Sequence, residues 1–310
     1  MLNRCSTAVM TLFAMLTLTV AIGPIAWLTR ARIAGLRQWL VASTAAVTMS
    51  GAALLVGPWA LLSVYLRPVV VVALVAALVV AAYRASRTAT VAPPDASQRR
   101  LALRSCTACL FGLVLIDGFA GRLTPSGTTD LHFPLEGGAY AVLQGGNSLL
   151  TNPFHHWFPS DKYGLDLVKL NVLGNRARTI APARLGDYAS YEAAVHSPCT
   201  GVVEEVVNDV PDNSPGTTDP QHLSGNHVLL RCGALRVLLA HLGRGSVVVT
   251  GGEPVRRGQL VGRIGNSGNT NEPHLHVSAV AADSPEPWRQ AAGVPITFDG
   301  RFLSMNNVVR

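Results

Sequence analysis

The sequence has 310 residues, 49% of them hydrophobic, and a mean hydropathy of +0.31, which excludes an ordinary soluble protein. Its net charge of +7 is unevenly divided: residues 1–121 hold ten Arg against two acids, Asp95 and Asp117, while residues 122–310 hold fifteen Lys/Arg against sixteen Asp/Glu. The high pI therefore belongs to loops beside a membrane, where Arg sets orientation. A nucleic-acid partner is excluded, because the half that would bind it is near neutral.

Thr7 to Leu28 carries no charged residue and is long enough to cross a bilayer, which takes roughly 20 apolar residues. Met1 to Arg4 is a small basic start of the kind that precedes a signal peptide. Further spans follow, so the chain stays in the membrane whether or not the first is cleaved. Trp39 to Leu66 is a second span, broken by Arg67-Pro68; Val69 to Tyr83 is a third, and Ser105 to Ala120 a fourth, with Asp117 as a solvated residue near its end. Arg84 to Arg104 reads as a polar loop with Pro93-Pro94 and five Arg, and Arg30 to Arg37 as one with three. The loop between spans two and three has only Arg67. The positive-inside rule puts the two Arg-rich loops in the cytoplasm, and the N-terminus and residues 122–310 outside. The spans are almost free of ionisable residues, which favours an anchor over a transporter.

All nine His lie after residue 122, in a half large enough to bury its own core. Tyr140 to Leu143 is an expected strand. Asn152 to Pro159 is a loop with His155 and His156, leading into a strand that carries Asp166. Arg176 to Tyr191 is a polar connection and Asp209 to Gly225 a surface loop rich in Pro, Asn, Asp and Gly. His196–Val203 reads as a turn and strand, further strands are expected at Asn226–Cys232, Leu235–Leu242 and Ser246–Val249, and Gln259–Ile264 leads into the next stretch. The Gly265–Asn269 stretch is a tight turn and a candidate groove wall. It delivers an extended His274-Leu275-His276, in which alternation points both imidazoles the same way. Glu204 and Glu205 read as a solvated strand edge. His132, His196, His222 and His227 read as ordinary surface or core residues. Many short strands with Gly/Pro turns make an all-β, mainly antiparallel domain.

Cys5, Cys106 and Cys109 fall in or beside membrane segments and read as packing residues. Cys199 and Cys232 lie on separate expected strands, and a disulfide between them is the expectation outside the cytoplasm.

Leu239-Ala240-His241-Leu242, Gly258-Gln259, Gly265-Asn266-Ser267-Gly268-Asn269-Thr270 and Pro273-His274-Leu275-His276 together resemble the lysostaphin/LytM-type zinc metallopeptidases, over about residues 130–281. The resemblance implies a β-sheet core with a groove over one face, one zinc ion per chain, and cleavage of peptide bonds in peptidoglycan. It implies zinc ligation by His276 and Asp166, and catalytic roles for His241 and His274 around a water on the metal. The usual pattern places a first His ligand four residues before the Asp, where Lys162 stands here. In some relatives an inserted loop displaces that His upstream; register against them selects His155, with His156 as the alternative. The chemistry is coherent by itself: two His and one carboxylate leave a fourth zinc position open. No H-E-x-x-H is present. Biotin or lipoate carriers share such Gly-rich turns but need a Lys at the tip, and none follows Lys169.

The expectation is therefore a membrane domain of about four transmembrane α-helices (1–121) followed by a mainly antiparallel all-β metallopeptidase domain (122–310). The protein would be a multi-pass protein of the bacterial cytoplasmic membrane with its C-terminal domain outside, acting on peptidoglycan peptides. The alternative is a non-catalytic relative that binds cell wall or a partner and regulates another hydrolase.

Overall fold

The computed structural model describes residues 2–31, 33, 35–87 and 94–310, with side chains placed from residue 8 and, after the break at 88–93, from residue 98. The side chain of Cys5, and residues Arg32 and Pro93, lie outside the described residues.

The first part is helical: Leu2–Arg30 (α1), Gly35–Val56 (α2), Trp59–Leu62 (α3), Leu66–Arg87 (α4) and Pro94–Ala120 (α5). Four of these contain stretches long and apolar enough to cross a membrane, Ala8–Arg30, Gly35–Val56, Leu66–Arg87 and Gln98–Ala120. Two boundaries differ from the hydropathy reading. The second span stops at Val56, because Gly57-Pro58 breaks the helix and the apolar residues after it pack on the β domain instead of lipid. The fourth helix starts at Pro94, with Pro in the first turn where no N–H is needed, so the polar loop is shorter than Arg84–Arg104. Cys106 and Cys109 are free thiols exposed on α5, within the candidate span Gln98–Ala120.

The strands are Thr129–Leu131 (β1), Tyr140–Gln144 (β2), Leu165–Lys169 (β3), Ala194–His196 (β4), Gly201–Val207 (β5), Asn226–Cys232 (β6), Leu235–Leu242 (β7), Pro254–Val255 (β8), Leu260–Arg263 (β9), Leu275–Ala281 (β10), Ile296–Phe298 (β11) and Val308–Val309 (β12). Eight form one antiparallel sheet in the order β12-β2-β3-β10-β7-β6-β5-β8, and small sheets β4-β9 and β1-β11 flank it. Only β1 and β11 pair in parallel among the described strands. Ser246–Val249 is not a strand; it runs as a loop held by Val248 N–H to Val261 O and by Val247 N–H to Asn208 Oδ1. The Gly265–Asn269 stretch is not a tight hairpin either. It joins β9 to β10 and lies against the ends of β6 and β7, where Ser267 Oγ donates to Leu242 O and accepts from Asn226 N. Gly268 has φ +86° and lies so close to Gly225 that a Cβ would stand 2.4 Å from its nitrogen.

Period-two alternation divides the sheet. Leu165 and Leu167 of β3, Val237 and Leu239 of β7, and Leu275 and Val277 of β10 face the core with Phe133, Val195, Val261 and Ile296. Asp166, Ala240 and His276 therefore face the other way. Cys199 and Cys232 form the expected disulfide, with Cα atoms 5.8 Å apart. β8 pairs only with Gly201 and Val202, so Glu204 and Glu205 lie on the uncovered part of β5; the Glu205 carboxylate is engaged there, accepting from Trp288 Nε1 and bonding His227 Nε2.

The two parts are joined closely. The connector Gly57–Tyr65 lies on the sheet face opposite the core, where Trp59, Ala60 and Val64 share one apolar cluster with Ala141, Val168 and Leu170. Arg176 N–H donates to Ala60 O, Val64 N–H to Gly174 O, Ser63 Oγ to Leu173 O, and the Asn175 amide to Leu62 O. From the other end of the domain, Asn306 Nδ2 donates to Leu55 O and Gly57 O, and Arg67 donates to Asn306 O. These bonds satisfy carbonyls that the end of α2 leaves unpaired. Asp117 is not merely solvated: its Oδ2 accepts from Leu150 N–H.

Candidate metal centre

The site is assembled on the sheet face opposite the core. Antiparallel register sets His276 of β10 directly across from Asp166 of β3. Their carboxylate and imidazole meet with Asp166 Oδ1 3.1 Å from His276 Nδ1. His155, in a single 3-10 turn spanning His155–Trp157, brings its Nε2 to 3.4 Å from the same oxygen. These ligand-type atoms of His155, Asp166 and His276 all lie within 4.8 Å of one another, and all three residues are buried. His274 Nε2 lies 3.2 Å from Asp166 Oδ1, and the His241 and His274 rings are 4.8 Å apart. The turn thus brings His155 into the cluster and leaves His156 outside it, with its ring against Trp157. His132, His196, His222 and His227 take no part, in keeping with their ordinary reading.

Each inward atom is aimed by a hydrogen bond or an ion pair on the far side of its side chain. His155 Nδ1 bonds Asn152 Oδ1 at 2.9 Å, leaving Nε2 free to face Asp166. Gln144 Nε2 donates to Asp166 Oδ2 at 2.9 Å, leaving Oδ1 inward. His276 Nε2 faces Asp161 Oδ1 at 3.4 Å, an ion-pair distance rather than a formed hydrogen bond. His274 Nδ1 donates to Glu272 O and His241 Nδ1 to Ser267 O, both at 2.9 Å, so both rings present Nε2. His241 has φ +63°, a left-handed conformation that costs energy outside glycine and that holds the ring where the strand leaves its ladder. Gly164 lies close under the cluster: a Cβ there would stand 3.0 Å from His276 Cε1 and 3.3 Å from His155 Nδ1, and both rings would have to give by a few tenths of an ångström. Arg176, itself buried, pairs with Glu272 at 2.8 Å and so fixes the loop that leads into His274.

Asp161, Gln144 and Asn152 were not among the residues expected from sequence. Asn152 stands three residues before His155, the spacing of one turn, but nothing local marks the partners of Asp161 and Gln144. They are set by the pairing of β2 with β3 and by the fold of the inserted loop.

The electrostatics of the cluster are those of a cation site. Burial opposes charge on His276, but the Asp161 and Asp166 carboxylates outweigh it and push the imidazole up to about 10. Burial would raise Asp161, yet His276 and His155 bring it down to about 2. Asp166 is held well below the usual carboxylate range against its burial, by His155 and His274. Burial, aided by His274 and His276, drives His241 far down, so it is a neutral base. Burial also disfavours the His274 cation, but Asp166 more than offsets it and raises the group. Two imidazole nitrogens and one carboxylate oxygen, each with its other side engaged, match the donor set of a zinc ion with an open position.

The chain is similar to peptidase family M23 over residues 187–286. That segment includes His241, His274 and His276; His155, Asp161 and Asp166 precede it. Among solved structures, a zinc-containing peptidase from Vibrio cholerae is 19% identical, with 54% of this chain and 41% of that one covered and a TM-score of 0.32. The antimicrobial peptidase lysostaphin from Staphylococcus simulans is 18% identical, with 45% and 44% covered and a TM-score of 0.29. A catalytic-domain variant of the prophage-encoded M23 protein EnpA from Enterococcus faecalis is 17% identical, with 42% and 72% covered and a TM-score of 0.28. The chain spans less than half the length of the first two. No curated protein matches it. Residues 187–286 thus match peptidase family M23, in keeping with the resemblance carried by the His241 and His274–His276 motifs.

Proposed function

We propose that the protein is a membrane-anchored zinc metalloendopeptidase that hydrolyses peptide bonds in peptidoglycan cross-links or stem peptides outside the cytoplasmic membrane. The observation that carries this reading is the convergence of His155 Nε2, Asp166 Oδ1 and His276 Nδ1, flanked by His241 and His274. These three ligands would hold the ion. Zinc in such a set polarises a carbonyl and lowers the pKa of a water.

The chain's own residues divide the proton work. His241, neutral and with Nδ1–H fixed on Ser267 O, offers Nε2 as a proton acceptor at neutral pH. His274, with Nδ1–H on Glu272 O and a raised pKa, offers an Nε2–H that stabilises a developing oxyanion and then protonates the leaving amine. Gln144 keeps Asp166 oriented by donating to its Oδ2. The Cys199–Cys232 disulfide supports a location outside the cytoplasm.

The test uses the full chain purified from membranes, because the β domain is bonded to the helices. Zinc is quantified, and peptidoglycan is digested with the wild type and with His276→Ala. One zinc per chain and new peptide termini, both lost in the variant, are expected. A wild type with neither zinc nor cleavage would move the protein to the wall-binding or regulatory class.

A further inference from the structure

The large apolar side chains that the β domain exposes are concentrated in two loops. Leu149, Phe154 (71% exposed), Trp157 (70%) and Phe158 lie in the loop that carries His155, and Val172 (92%) and Leu173 (69%) lie in the turn after β3. Beyond residue 123, the other exposed large apolar residues, Val202, Leu223 and Val248, are scattered singly. Both loops are bonded to the same end of the helical bundle. Asn147 N–H donates to Gly121 O, just past α5, and Leu150 N–H to Asp117 Oδ2 at 3.0 Å. Asp117 stands three residues inside the end of α5, about 4–5 Å below it along the axis. The second turn is tied through Ser63 and Val64 to the connector immediately before α4.

The backbone of both loops therefore sits level with the ends of helices long enough to cross a bilayer. A protein surface in water rarely gathers exposed Phe, Trp, Val and Leu in this way. Trp at the end of a span is at home among lipid headgroups, where its ring is half apolar and half wet. Apolar side chains inserted to about 5–10 Å bind that zone.

We propose that the β domain lies directly on the outer surface of the bilayer, with the 147–158 and 172–173 loops inserted among the lipid headgroups, so that the turn bearing His155 is held at the membrane plane. The occupant of this apolar surface is the bilayer that the chain's own helices cross, because the patch continues their ends without a break. The proposal rests on the membrane-anchored reading. It adds that the site takes substrate peptides at the lipid surface.

The full chain is reconstituted in vesicles of phosphatidylethanolamine and phosphatidylglycerol, with and without lipids brominated on the acyl chain near the headgroup. Emission of the wild type less that of Trp157→Phe isolates Trp157; the emission remaining in the variant includes Trp27 on α1 as a reference. The expected result is loss of most Trp157 emission to brominated lipid and little loss to aqueous iodide. Val172→Trp, placed in the Trp157→Phe background, is expected to behave the same way. Trp157 quenched by iodide and not by lipid, with the residual emission still quenched by lipid, overturns the insertion and leaves the anchor standing. Shielding of Trp157 from both quenchers assigns the patch to a protein partner or second copy and overturns it equally. If the residual emission is also untouched by brominated lipid, the anchored reading fails, and the insertion with it.

Discussion

His276 has carboxylates on both sides, Asp166 at Nδ1 and Asp161 at Nε2. The first is a proposed fellow ligand; the second only holds the ring and makes it a better donor. Asp161→Asn keeps the shape and removes the charge. Zinc affinity of the variant, measured by competition with a chelator, is expected to fall about 10–100-fold. The same carboxylates push the metal-free His276 up to about 10, so at neutral pH the ring carries a proton that a metal must displace. Raising the pH toward 10 removes that competitor. Affinity should therefore strengthen as pH rises and weaken as it falls, by up to about tenfold per pH unit for one displaced proton. Calorimetry in buffers of different ionisation enthalpy reads the released proton directly. At this scale, the residues that touch one another through sequence neighbours were legible: His274 and His276 share a face because they stand two apart. Lys162 in the usual ligand position showed that the first His had moved, and register against other chains, not chemistry, favoured His155 over His156. Asp161, Gln144 and Asn152 were invisible because their partners lie on other strands or across the inserted loop.

Among the elements, the strands with strong alternation were found at their observed limits: Asn226–Cys232 and Leu235–Leu242 are β6 and β7. Ser246–Val249 has the composition of a strand but finds no neighbour to complete a ladder, and composition cannot supply one. β12 is two residues long and exists only because β2 offers an edge. The loop before β10 depends on one buried ion pair, Arg176 with Glu272, both almost inaccessible. Removing one partner strands a charge in the interior. Arg176→Ala is expected to cost about 3–5 kcal/mol, and Arg176→Met with Glu272→Leu together much less than the sum of the single changes. Denaturant unfolding of the wild type, Arg176→Met, Glu272→Leu and the double variant tests this, with Arg176→Ala measured beside them. A sum of independent effects would show that the pair is not what fixes the loop.

In the whole molecule, hydropathy located the four long helices, because an apolar run is a local property. It misplaced the end of the second, since the residues after Val56 are apolar on account of the β domain and not of lipid. Nothing local signals that the chain returns to α2 at Asn306, 251 residues beyond Leu55. Asn306→Ala removes one donor from each of Leu55 O and Gly57 O, which keep Arg122 Nη2 and Trp59 N–H, so it is expected to cost about 0.5–1.5 kcal/mol per bond lost. Limited proteolysis of the full chain should then cut between residues 121 and 128 faster than in the wild type, with the isolated sheet core still resistant.

The segment from Gly121 to Gly127 and Thr128 offers little slack: eight residues separate α5 from β1. As a free tether, they would let the domain wander over roughly 15 Å. The bonds from Asp117, Gly121, Ser63 and Asn306 remove even that. The domain is thus a fixed blade rather than one swung on a cord. If the domain is the proposed endopeptidase, what it would cut is decided by how near the wall comes to the membrane, and a change in that gap would switch its work on or off with no change in the protein itself.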